Sequence, residues 1–273
     1  MKLAALYIHP IKSCAGISVQ SAQLSARGLE HDRRWMVVDD AGRFLTQRVL
    51  ARMALVRLSL HADGLHARFG DDDTLSLPFL FSAGRTIDIA VWSHRGPAIR
   101  HDAGSDWFTR VLQRPAQLVC MPDDIVRPVD SSVARAGDQV SFADGFPLLV
   151  ANRASLDDLN ARSNFDSDMR RFRPNLVVAG ASVWAEDDWR RLRVGAVPLR
   201  VATACARCNI PGLDPDSGEP TKEPLRTLAT FRKRDHEVYF GVNAIPDGTG
   251  ELRVGDTVEV LDTEVTASVS TVK

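Results

Sequence analysis

Over the first 92 residues, apolar positions come in short runs at 3–8, 35–38, 55–60 and 86–92, separated by polar and turn-forming residues. Runs of this length and spacing are the pattern of strands in a sandwich or barrel. Asp40-Ala41-Gly42 and Ala62-Asp63-Gly64 have hairpin-turn chemistry. The period changes after Gly104, where Trp107, Phe108, Val111 and Leu112 fall on one helical face, with Ser105 as the expected N-cap and Pro115 as the stop. Residues 121–137 are rich in Pro, Asp and Arg without a period, which predicts an exposed connection. Ser155, with Asp158 three residues on, has the form of a capping box and predicts a second helix reaching about Arg162. Strands are expected again at 175–178, 192–194, 199–202 and 258–261, the last after an Arg253-Val254-Gly255-Asp256 turn. The expected fold is mainly β with short helices (α+β): a β-barrel-like N-terminal module over residues 1–120 and a second β-barrel domain over 121–273.

Composition adds exclusions. With 44% hydrophobic and 25% charged residues, the chain has the balance of an ordinary folded protein. Thirty-four basic and 35 acidic residues give a formal net charge of −1, so no whole-molecule field favours a nucleic-acid polymer or an anionic membrane. The opening apolar run meets Pro10 and Lys12 at once, too short for a signal peptide or a membrane span, and a cytoplasmic protein is expected. Four cysteines, at 14, 120, 205 and 208, are few for a disulfide framework, so reduced thiols are expected.

Cys205-x-x-Cys208 is the one pair of neighbouring thiols. Such a pair can bind zinc, cycle through a disulfide, or donate a single thiolate to a softer metal. Zinc needs two more ligands, and there is no second Cys-x-x-Cys or His-x-His; Cys14 and Cys120 are isolated, and none of the seven histidines forms a metal pair along the sequence. A thioredoxin-like motif opens a helix, whereas Pro211-Gly212 forces a loop here. A single thiolate ligand and two merely packed thiols both remain open on spacing alone. Asp71-Asp72-Asp73 reads as a solvated turn.

The surrounding sequence, Ala204-Cys205-Ala206-Arg207-Cys208 continuing to Asp214-Pro215-Asp216-Ser217-Gly218, resembles the cysteine loop of the MOSC family, whose domain also ends molybdenum cofactor sulfurases. Further segments are similar in order along the chain. Pro10-Ile11-Lys12-Ser13, Gly28-Leu29, Asp32-Arg33-Arg34-Trp35 and Leu45-Thr46-Gln47-Arg48 resemble signatures of the family's N-terminal β-barrel domain. Phe172-Arg173-Pro174-Asn175, Phe240-Gly241-Val242-Asn243 and Val254-Gly255-Asp256 resemble those of the MOSC domain itself.

The resemblance implies a molybdenum-molybdopterin cofactor, with Cys208 as both metal ligand and catalytic residue and Cys205 outside the coordination sphere; pyridoxal phosphate is not expected. Lys12, Ser13, Arg33, Arg173, Asn175, Ala206, Arg207, Cys208 and Asn243 are the implied cofactor-binding positions, with Arg48 either at the substrate entrance or structural. Ala206 stands where relatives have Ser, so any contact there comes from backbone. Gly145 and Phe146 replace small hydroxyl residues, and Asn243 replaces a tyrosine. The implied activity is reduction of small N-hydroxylated compounds, such as hydroxylamines, amidoximes and N-hydroxylated bases, by oxygen-atom transfer. No cysteine set for an iron–sulfur cluster accompanies the pair, so a separate electron donor (a ferredoxin, flavodoxin or reductase) is expected. The alternative is a carrier of cofactor or sulfur without turnover of its own.

Overall fold

Nineteen strands and three short helices form in the computed structural model, which describes residues 1–263 apart from positions 72 and 80. The largest sheet runs in the order Val258–Thr263, Trp189–Val194, Val197–Ala206, Glu237–Pro246, Leu148–Asn152, Leu176–Ala179, Lys2–Ile8 and Ile17–Val19, with Lys233–Arg234 paired beside Glu237–Pro246. Its neighbours are antiparallel except Leu148–Asn152 and Leu176–Ala179, which are parallel. The helix Arg153–Arg162 lies in the crossover that a parallel pair requires. The N-terminal strand therefore completes a sheet drawn mostly from the second half, with Leu6 opposite Leu176. A smaller sheet does the same in reverse: Gly250–Arg253 pairs with Ser21–Ser25.

The first half contributes a four-stranded sheet, Trp35–Val38, Gln117–Cys120, His94–His101 and Arg85–Val91, and a three-stranded meander, Arg57–His61, Gly64–Phe69 and Asp73–Leu77. All four residues of Trp35–Val38 are buried, which explains a continuous apolar run where a half-exposed strand would alternate. Leu3, Leu6, Leu148, Leu176, Leu192 and Leu199 centre one core; Trp35, Met53, Trp107 and Phe108 centre another.

Most expected strands form within two residues of their expected ends. The run at 55–60 is shortened because residues Ala51–Leu55 close a 3-10 turn and the strand starts at Arg57. Both helix caps fall elsewhere. The first helix spans Asp102–Leu112 and is capped by His101, whose ring accepts from the Gly104 amide. Ser105 lies inside the first turn, donating to the His101 carbonyl at 2.7 Å and accepting from Leu118 N at 3.0 Å. Asn152, not Ser155, caps the helix Arg153–Arg162. Ser155 is buried and donates to Glu186 at 2.8 Å, while Asp158 holds Arg162 and Trp184 instead of closing a capping box. Ser155 is claimed by the buried Glu186, and Ser105 bridges the His101 carbonyl and the Leu118 amide.

Candidate functional site

The strand Val197–Ala206 leaves its sheet at the cysteine loop, where Ala206 is the last residue in register, opposite Tyr239. Residues Ile210–Gly212 then turn the chain sharply, so Cys205 and Cys208 are both only half-buried. They open into a cleft of about 420 Å³. All nine expected positions line it: Lys12, Ser13, Arg33, Arg173, Asn175, Ala206, Arg207, Cys208 and Asn243, together with Arg48. Five cations (Lys12, Arg33, Arg48, Arg173, Arg207) face one carboxylate, Asp144. A neutral protein thus concentrates positive charge in one concavity, as an anion site requires.

Backbone geometry sets the cations in place. Ser13, Arg33 and Arg173 all have left-handed backbones, at φ 68°, 47° and 54°. Each costs on the order of 1 kcal/mol for a residue with a Cβ, and such strain collects where function fixes the chain path. Lys12 N donates to Trp35 O at 2.8 Å, and Arg33 N to His9 O at 2.9 Å. The Arg33 guanidinium joins Asp32 at 2.6 Å and Asn175 Oδ1 at 3.1 Å. Asn175 also accepts from Leu149 N and donates to Tyr7 O, tying the first strand to the second half beneath the cleft. Arg173 donates to Cys14 O at 2.8 Å. Arg207 donates to Cys205 Sγ at 3.0 Å and to Phe172 O at 2.8 Å, while its buried Nε has no protein partner. Asn243 Nδ2 donates to the Thr203 hydroxyl at 3.0 Å, and Ser13 to that of Thr46 at 3.3 Å.

Burial works against these charges. It lowers Lys12 to about 8 despite the opposing charge of Asp144, and it lowers Arg173 to about 10 with help from Arg33. Both groups would gain from an anion in the cleft. Asp144 is raised by burial, but the charges of Lys12 and Arg48 outweigh this and hold it well below the usual carboxylate range. It contacts Lys12 Nζ at 2.5 Å and Arg48 at 2.6 Å. Burial lowers the Arg48 pKa, but the charges of Asp144 and Cys208 raise it more. Cys14 and Cys120 are buried, and burial pushes both thiols up to about 12, which leaves them unreactive at neutral pH.

Three residues of this neighbourhood have no motif to announce them. Asp144 is one. Arg127, buried within the segment expected to be an exposed connection, holds the Asp144 loop through the carbonyls of Ser141, Ala143 and Asp144. Trp92, from the far end of a hairpin, donates to Asp144 Oδ1 at 3.2 Å. Their partners lie 14 to 132 residues away, beyond any local pattern. The histidines also require a correction: the hairpin of Arg57–His61 and Gly64–Phe69 brings His61 and His66 together beside Asp63. Among the described residues this is the one His, Cys, Asp and Glu grouping of metal-binding size, and it contains neither Cys205 nor Cys208. A four-ligand zinc site at the cysteine pair has no support.

Chemically, the cleft offers cations for a phosphate, side-chain amides for a flat polar ring system, and two half-buried thiols, Cys205 and Cys208, either of which could meet a soft metal. Residues 1–115 match the MOSC N-terminal beta barrel domain, and residues 137–259 match the MOSC domain. The chain belongs to the two-domain MOSC family. Among its relatives, mitochondrial amidoxime-reducing component 1 of Mus musculus is 34% identical over 279 residues, covering 95% of this chain and 82% of that one. Mitochondrial amidoxime reducing component 2 of Homo sapiens is 34% identical over 276 residues, covering 94% and 82%. A molybdenum cofactor sulfurase of Oryza sativa subsp. japonica is 30% identical over 285 residues, covering 94% of this chain but 34% of the relative. No helix among the described residues is long and apolar enough to cross a membrane.

Proposed function

We propose that the protein is a molybdenum-cofactor-dependent reductase of small N-hydroxylated compounds. The observation that carries this reading is the convergence of five cations and a half-buried Cys208 in one cleft, in a chain so similar to amidoxime-reducing components. The donor set fits a phosphate-bearing pterin with a thiolate-ligated metal: buried cations destabilised by their own burial, an unpartnered buried Arg207 Nε, and half-buried thiols in the same cleft, of which Cys205 already accepts from Arg207. When bound, such a cofactor supplies a two-electron couple and an open coordination position.

The protein's part is binding and orientation. Cys208 holds the metal. Lys12, Ser13, Arg33 and Arg173 hold the phosphate, while Asn175, Asn243, Arg207 and the Ala206 backbone fix the pterin. Overall, R–NH–OH takes two electrons and two protons to give R–NH2 and water. The electrons come from a separate ferredoxin, flavodoxin or reductase. Arg48, paired with Asp144 and lining the same cleft as Cys208, orients the substrate at the entrance.

The second reading is a cofactor or sulfur carrier, favoured by the similarity to one third of a cofactor sulfurase. Purification from cells that make molybdopterin, followed by molybdenum analysis and an assay of N-hydroxylated bases with a chemical reductant, separates the two. The reductase reading expects metal and turnover, and the carrier reading expects metal alone. Cys208→Ser should lower molybdenum per chain at least about tenfold and Cys205→Ser far less; equal losses would argue for a shared two-thiol site, and no molybdenum in the parent chain would sink the reductase and the cofactor carrier, leaving only a carrier of sulfur.

A further inference from the structure

The strands Arg85–Val91 and His94–His101 are joined by a two-residue turn, Trp92-Ser93, with Val91 opposite His94. Two-residue hairpin turns favour Gly, Asn or Asp at a position of positive φ. Here that position holds a tryptophan at φ 55°. The side chain is also 54% exposed, among the few large apolar groups left in solvent. A bulky, strained, exposed aromatic breaks two local preferences at once, and such breaks collect at functional sites.

Its surroundings give it an address. The indole N–H donates to Asp144, a residue lining the cleft. Arg48 lies over one face, 5.1 Å from the ring centroid, and Phe44 packs at 5.1 Å with its plane tilted by 57°. Arg48 and Cys208 both line the cleft. The ring is therefore fixed beside residues that line the cleft, with Arg48 over it, Phe44 tilted against it, and about half of the residue exposed. We infer that Trp92 is a stacking platform at the cleft mouth and makes the protein select N-hydroxylated compounds with a flat, delocalised body, such as aromatic amidoximes or N-hydroxylated heterocyclic bases, over saturated hydroxylamines. A planar group can lie against an aromatic ring and gain from both contact area and π geometry, whereas a small saturated group gains little. Trp92 acts on substrate binding and takes no part in the redox step. The inference rests on the reductase reading for its substrates.

The test compares benzamidoxime with N-methylhydroxylamine on chemically reduced, molybdenum-loaded protein, for the parent chain, Trp92→Ala and Trp92→Phe. Trp92→Ala is expected to lower the ratio of kcat/KM for benzamidoxime to that for N-methylhydroxylamine about fivefold to tenfold, carried by KM. Trp92→Phe should recover most of the ratio, with molybdenum per chain equal in all three. An unchanged ratio overturns the inference, as does equal loss on both substrates. A second measurement stands apart from turnover: benzamidoxime binding to the metal-free chain by calorimetry should weaken about fivefold to tenfold in Trp92→Ala, and equal affinity there overturns the platform. If the parent chain holds no molybdenum or turns over neither substrate, the reductase reading fails, and the calorimetry alone then decides the platform.

Discussion

Lys12 shows how much of the site depends on single charges. It is 5% exposed, bonded to Phe142 O at 2.7 Å and to Asp144, and burial brings it down to about 8. Below that pH it is an ammonium and attracts an anion; above it, it is neutral and offers only hydrogen bonds. Affinity of the metal-free chain for inorganic phosphate should therefore fall as pH rises from 7 to 9, by roughly tenfold if one charge-assisted hydrogen bond is lost. Lys12→Met should bind weakly at both values and show no such step. Asp144→Asn should move the step to lower pH, because the Asp144 charge is what opposes the effect of burial on Lys12. Phosphate titrations by calorimetry at several pH values read all three, and a parent chain with flat affinity across pH 8 would rule out Lys12 as a charged contact. This residue was legible in the sequence because it sits in a short motif with Pro10 and Ser13. Asp144 was not, since its meaning comes from Lys12 and Arg48, 132 and 96 residues away.

At the scale of elements, the apolar runs identified strands because burial of one or both faces writes itself into local sequence. Caps were less legible: Ser105 and Ser155 have the right chemistry, but Ser105 bridges the His101 carbonyl and the Leu118 amide of a neighbouring strand, and Ser155 is taken by Glu186. Glu186 is the instructive partner. It is fully buried, accepts from Asn152 Nδ2 at 2.9 Å and Ser155 Oγ at 2.8 Å, and leaves Oε1 unpartnered. It joins the 3-10 turn Ala185–Asp188 to the start of the helix Arg153–Arg162. Burial raises its pKa above the ordinary 4.5, against the lowering effect of these hydrogen bonds. The folded chain thus holds the Glu186 proton more tightly than the unfolded one. Its contribution is fully present below pH 4.5 and declines as pH rises through the raised value. Glu186→Gln keeps an acceptor for Asn152 and Ser155 without the buried charge. It should be more stable than the parent by about 1 kcal/mol at pH 7, with the gap closing toward pH 4.5. Urea unfolding at the two pH values measures this, and a destabilised variant at pH 7 would show that the charge itself is needed.

For the whole molecule, the order of segments along the chain hides the way its halves interlock. A linear reading places a division near residue 120, and the family matches fall on either side of it, at 1–115 and 137–259. Yet Lys2–Ile8 pairs with Leu176–Ala179, and Gly250–Arg253 with Ser21–Ser25. Such pairings are long-range, and a strand's sequence records which face is buried but not which strand lies beside it. The cleft depends on the same arrangement, because Lys12, Ser13 and Arg33 arrive from one half and Arg173, Asn175 and Cys208 from the other. Leu6 is fully buried in a core with Leu148, Val150 and Leu176, so Leu6→Ala should cost about 2–5 kcal/mol. If the halves form one cooperative unit, that loss shifts a single transition whether it is followed by tryptophan fluorescence, to which Trp35, Trp92 and Trp107 of one half and Trp184 and Trp189 of the other contribute, or by phosphate binding at the cleft. Residues 121–273 expressed alone lack the strands Lys2–Ile8 and Ile17–Val19, leaving the buried edge at Leu176–Ala179 unpaired, and should show no cooperative urea transition by circular dichroism. A fragment that unfolds cooperatively, or a Leu6→Ala chain with two separated transitions, would show instead that each half carries its own stability and that the first strand serves the cleft alone.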